Sequence, residues 1–206
     1  MRQSRWVGFA VAAALFVVPL AGASNNSAFA DGAGDAPASA PDVTSVQVSN
    51  DDAGTVAFRI SIPNRSQLED ADFIALLLDT DGNRRTGCAR GTFGAEYALD
   101  VLARKFVFGR CDRGQWSFAR KPASFTGSFA DSTLTLRANR RDLGRASGFA
   151  FRIGAATAAD GDSTYDFAPN IGTNAWVYKV VAPPEAVKKP PKRKRPRRAP
   201  VRLRHR

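Results

Sequence analysis

Histidine and methionine are almost absent from this 206-residue chain: the single histidine is His205 and the single methionine is Met1. The body of the chain therefore cannot build a Ser-His-Asp triad, a His-ligated zinc site or a Met/His haem site. Cysteine is nearly as scarce, with Cys88 and Cys111 alone, at a spacing that excludes a CxxC redox or zinc motif. Neither a Gly-x-Ser-x-Gly elbow nor a glycine-rich phosphate loop occurs. Acidic residues are missing from both ends of the chain, before Asp31 and after Glu185.

What is present is charge of one sign at one end. The formal net charge of +11 comes from 30 Lys and Arg against 19 Asp and Glu. From Lys188 onward eleven basic residues stand with no acid, whereas residues 31–187 hold 17 basic and 19 acidic groups. A near-neutral body of one-domain size thus carries a basic tail.

Residues 1–30 read as a secretory signal peptide: Arg2 and Arg5 are the charged start, Trp6 to Leu20 the apolar run, and Ala28-Phe29-Ala30 a small-x-small cleavage site. About fifteen apolar residues is short of the roughly twenty that cross a bilayer, so cleavage is expected over anchoring. Residues 31–182 form the expected domain, and 183–206 a disordered Pro/Lys/Arg tail. In that tail Lys188, Lys189, Lys192, Arg193, Lys194, Arg195, Arg197 and Arg198 are interrupted by prolines, which with charge repulsion keep a chain extended. Outside the cell such a polycation meets anionic wall polymers and lipid headgroups, which it holds in a salt-dependent way. Export argues against a nuclear signal or a dedicated nucleic-acid arm.

The body reads as all-β. Val56, Phe58, Ile60 and Ile62 alternate with polar neighbours, as do Val46 and Val48, Leu134 and Leu136, and Phe149, Phe151 and Ile153. The continuous run Phe73 to Leu78 suits a central strand, and Ala103-Arg104-Lys105 a tight hairpin. Asn139 to Gly144 suits a capped turn. Nine or ten short antiparallel strands without a long helix predict a β-sandwich of jelly-roll type. In an exported chain Cys88 and Cys111 are expected to form a disulfide.

Candidate chemistry is confined to oxygens and aromatics. Asp79, Asp81 and Asn83 place oxygen donors at alternate positions of a turn, as calcium requires, although Arg90 stands where an EF-hand needs its Glu. The plain alternative is that these side chains satisfy the turn's own backbone. Asp160, Asp162 and Asp166, before the last strand in an expected loop, and Asp31, Asp35 and Asp42, near the expected mature start, are candidate donors to a structural calcium, with plain solvated loop as the alternative. Trp116, Trp176, Tyr165 and Tyr178 are the candidate sugar platforms, the two tryptophans first among them as ligand-binding residues, with core packing the competing role. Glu96 and Asp100, four apart in a strand, would stand about 13 Å apart, too far for a glycosidase pair. No enzyme is expected.

The segments Asp31-Gly32-Ala33-Gly34-Asp35, Pro41-Asp42-Val43-Thr44-Ser45-Val46, Leu78-Asp79-Thr80-Asp81-Gly82-Asn83, Thr86-Gly87, Gly94-Ala95-Glu96-Tyr97 and Tyr165-Asp166-Phe167-Ala168-Pro169-Asn170 resemble, in that order, secreted bacterial β-sandwiches related to family 9 carbohydrate-binding modules and DOMON domains. The resemblance implies a non-catalytic sandwich that binds sugars or haem, and haem fails for want of His and Met ligands in the body. The expectation is a secreted, carbohydrate-binding-like module retained on anionic surfaces by its tail. The alternatives are an envelope protein that interacts only through that tail and, further off, a small secreted hydrolase.

Overall fold

The computed structural model describes residues 23–37, 39–88, 93–159 and 162–181, so most of the expected leader and the basic tail lie outside the described residues. Among the described residues there are twelve strands: β1 (Ala23–Ala30), β2 (Ser45–Asp51), β3 (Thr55–Ser61), β4 (Asp72–Asp79), β5 (Tyr97–Leu102), β6 (Lys105–Asp112), β7 (Gln115–Ser117), β8 (Thr126–Ala130), β9 (Thr133–Asn139), β10 (Gly148–Ala159), β11 (Asp162–Ala168) and β12 (Trp176–Lys179). No helix occurs among the described residues, and the strands form a five-stranded antiparallel sheet in the order β1-β2-β3-β9-β8 and a seven-stranded one in the order β11-β10-β4-β5-β6-β7 with β12 added beside β10. The long β10 binds β12 along its first half and β11 along its second.

The alternating sequence pattern is what joins the two sheets. In the smaller sheet Val46 faces Ile60, Val48 faces Phe58, and Phe58 faces Leu136. In the larger one Ile74, Leu76 and Leu78 share a face with Leu99, Val101, Phe151 and Ile153, all buried. The Phe58 ring crosses between sheets to Phe149 and Phe151, with centroids 5.6 and 5.9 Å away. Burying each such side chain is worth about 1.5–3 kcal/mol. β4 lies between β10 and β5, the central position its apolar run predicts.

Local signals also hold. Ala103 and Arg104 adopt positive φ in the hairpin that pairs Leu102 with Lys105. The Asn139 Oδ1 accepts the Arg141 N–H at 3.0 Å, and Gly144 turns left-handed at the end of that turn. Cys88 and Cys111 are disulfide-bonded, with Cα atoms 5.6 Å apart.

Two strands differ from expectation. Of the acids expected in a loop before the last strand, Asp160 lies outside the described residues and Asp162 and Asp166 belong to β11, where Asp166 points inward beside the buried Ala168 while Tyr165 and Phe167 point outward. Residues 23–30, read as the end of the leader, form β1 along the edge of the smaller sheet. The expected cut after Ala30 falls at the last residue of that strand.

Candidate functional site: a carboxylate cluster and an aromatic pair on β11

The turn after the expected leader and the inner face of β11 bring together acids that are far apart in the chain. One carboxylate oxygen each from Asp31, Asp35 and Asp166 lies within 4.8 Å of the others. Asp42 joins them electrostatically: its charge acts on both Asp31 and Asp166. It is anchored over the same turn, since its Oδ2 accepts the Gly34 N–H at 2.9 Å and its own N–H donates to Asn64 Oδ1 at 2.9 Å. Gly34 has φ of +78°, a conformation that glycine adopts without penalty. Asp166 Oδ2 accepts the Val43 N–H at 2.7 Å, and Asp35 Oδ2 accepts from Asn170 Nδ2 at 2.8 Å.

This arrangement is electrostatically incomplete. Asp42 is 8% exposed and Asp166 3% exposed. Asp42 Oδ1 and Asp31 Oδ2 are buried with no hydrogen-bond partner. Burial first, and then the neighbouring Asp35, Asp31 and Asp42 charges, push the Asp166 carboxyl up to about 6 against the lowering effect of the Val43 N–H. Asp31 is raised by burial and by Asp35. A divalent cation would supply the missing positive charge, and the hard oxygen donors suit calcium.

The turn expected to hold a metal is arranged differently. Asp79, Asp81 and Glu96 place one oxygen each within 4.8 Å, and Asn83 Oδ1 accepts the Arg85 N–H at 3.1 Å. The cluster's oxygens are engaged by the turn itself. Asp79 Oδ1 accepts from Gly82 N at 2.7 Å, Asp81 Oδ1 from Asn83 N at 2.8 Å, and Glu96 Oε2 from Thr80 N at 2.8 Å. Thr86 Oγ1 lies 2.8 Å from Asp81 Oδ2. The disulfide, with the Cys88–Ala95 bridge and the Cys111 N–H donated to the Glu96 carbonyl, fixes this loop.

The aromatic candidates separate cleanly. Trp176 is partly buried against Phe29 and Phe151, both rings 5.5 Å away, and Tyr178 is fully buried with its hydroxyl 2.9 Å from Asn50 Oδ1. Trp116 is partly buried on the edge strand β7 beside the half-exposed Phe118, ring centroids 6.4 Å apart. Tyr165 is 49% exposed and stacks on the exposed Phe167 at 5.9 Å with an interplanar angle of 18°. Phe167, which sequence reasoning did not select, lies over Gly154 of β10, where an added Cβ would come 3.5 Å from its ring. The signal available in the sequence was the Tyr165-Asp166-Phe167 alternation.

Comparison of the chain with protein-family models, curated proteins and solved structures finds no match.

Proposed function

We propose that this protein is an exported, non-catalytic binding module whose ligand face is organised by a structural calcium and whose basic tail, from Lys188, retains it on anionic wall polymers or lipid surfaces. One observation carries the reading. On β11 the Asp166 carboxylate points into the carboxylate cluster while Tyr165 and Phe167, its two neighbours, form an exposed stacked pair on the other face. A cation that fixes Asp166 therefore fixes the strand that displays the platform. Flat exposed rings suit the apolar faces of sugars, so an insoluble polysaccharide is the ligand class, in keeping with the resemblance to carbohydrate-binding sandwiches. The chemistry of the tail is electrostatic and independent of this face.

The test is pulldown on insoluble polysaccharides and cell-wall preparations, comparing the full exported chain with one ending at Val187 across a salt series. Binding that persists at high salt without the tail supports a site on the sandwich. Binding lost with either change assigns the interaction to the tail alone and discards the sugar platform.

A further inference from the structure

We infer that the export leader is cut between Ala23 and Ser24, seven residues before Ala30, so that β1 remains in the mature protein. The inference rests on the export reading above. Two Ala-x-Ala triplets lie between the apolar run and Asp31. Ala21-Gly22-Ala23 begins at the residue after Leu20, and Ala28-Phe29-Ala30 follows seven residues later. A peptidase reading the unfolded chain can use either, and the fold distinguishes their products.

A cut after Ala30 discards an element that the sandwich uses along its whole length. β1 pairs with β2 from Ala30 opposite Ser45 to Ala23 opposite Asp51. The Phe29 ring packs edge-on to Phe151 at 5.0 Å and against Trp176 at 5.5 Å, both from the opposite sheet. Asn25 Nδ2 donates to the Lys179 carbonyl at 2.7 Å, and the Asn25 carbonyl accepts from the Tyr178 hydroxyl at 3.3 Å. Two residues of β12 are thus tied to β1. Without it, β2, with Val46 and Val48 in the core, becomes an unprotected edge, the feature that invites strand addition and aggregation. A cut after Ala23 keeps Asn25, Phe29 and the ladder from Asn25 to Ala30, and removes the apolar run entirely.

The step is peptide-bond hydrolysis by an export endopeptidase that accepts small side chains. Water adds across the Ala23–Ser24 amide, leaving a carboxylate on Ala23 of the released leader and an α-amino group on Ser24.

The full chain is expressed in a secreting bacterial host, and the exported product is read by N-terminal sequencing and intact mass, alongside Ala23→Leu and Ala30→Leu. The expected product of the parent and of Ala30→Leu begins at Ser24, whereas Ala23→Leu loses that product. Ala30 is exposed, so its substitution leaves the fold intact. A parent product beginning at Asp31, or one lost only in Ala30→Leu, overturns the inference while leaving export standing; an uncut chain retained in the cells overturns both. Chains made to begin at Ser24 and at Asp31 provide a second readout, with melting expected on the order of 5–10 °C lower for the shorter. Equal melting temperatures would remove the structural ground for the inference.

Discussion

The Asp166 carboxylate accepts the backbone N–H of Val43 at 2.7 Å, a buried bond that joins residues 123 positions apart. Val43 leads into β2 of the five-stranded sheet and Asp166 sits on the outer strand of the other, so the bond ties the two sheets where four aspartates converge. An acid this buried with one good donor and three like-charged neighbours is held at a cost that a cation would offset.

Calcium should therefore stabilise the protein in a pH-dependent way. Without metal, Asp166 titrates near 6 in the folded state against the ordinary 3.8, so the folded form binds more protons and this group's contribution to stability falls as pH rises from about 4 through 6. Bound calcium favours the ionised carboxylates and so removes this fall. Melting curves at pH 4, 5, 6 and 7 with excess calcium or with chelator should coincide at pH 4 and diverge upward, reaching about 2.7 kcal/mol at a hundredfold excess over Kd. Asp42→Asn and Asp166→Asn should abolish the divergence. Superimposable curves at every pH would show that no metal binds.

Asp100 supplies a second, metal-independent pH effect. It lies on the face of β5 opposite the core residues Leu99 and Val101, between Ala75 and Val107 in the register, and its Oδ1 has no partner. Burial alone lifts its carboxyl to about 7. The folded state holds this proton after the unfolded chain has lost it, so stability falls as pH rises between about 4 and 7 and is flat beyond. The total is on the order of 4 kcal/mol. Urea unfolding of Asp100→Asn should show a shallower pH dependence and a gain over the parent at pH 8. A parallel curve for the variant would refute the assignment.

How much of this was legible in the sequence depends on which force sets each element. The strands carrying Phe58, Leu76 and Phe151 bury one apolar face, and period-two alternation reports that directly. β11 does not announce itself as a strand because its inward residue Asp166 is polar and its outward ones, Tyr165 and Phe167, are aromatic, with only Ala168 of the described side chains adding an apolar inward position. A small-x-small triplet such as Ala28-Phe29-Ala30 looks the same in sequence whether it is cut or folded, so the sequence alone does not separate leader from β1. The approach of Asp31, Asp35 and Asp42 to Asp166 is a product of sheet topology, to which local spacing is blind. The Asp79 turn was legible as a group of oxygens, but its third acid, Glu96, comes from the entry to the next strand, which local spacing does not reveal.

Glycine tolerance should distinguish Gly82 from Gly94 around that turn. A Cβ on Gly94 would run into the Asn83 carbonyl oxygen and come 2.9 Å from the Arg84 Cα, both backbone atoms that cannot rotate away. Gly82 has open space around its Cβ position and only a φ of +69° to disfavour a side chain. Gly94→Ala should therefore cost more than Gly82→Ala, about 2–3 kcal/mol against about 1 kcal/mol. Chemical denaturation of both oxidised variants checks this, and equal losses would mean that the loop yields freely.

Tyr165 and Trp176 should respond in opposite ways to truncation, which separates platform from core. Tyr165 is half exposed and stacks only on Phe167 among the described ring contacts, so Tyr165→Ala should change stability by less than about 1 kcal/mol while reducing high-salt retention on polysaccharide by tenfold or more. Trp176 bridges Phe29 and Phe151, so Trp176→Ala should cost about 3 kcal/mol whether or not a ligand is present. Measured side by side, a Tyr165→Ala variant that folds and still binds as the parent does would move the ligand face away from β11 and toward the partly exposed pair Trp116 and Phe118 on the opposite edge of the same sheet.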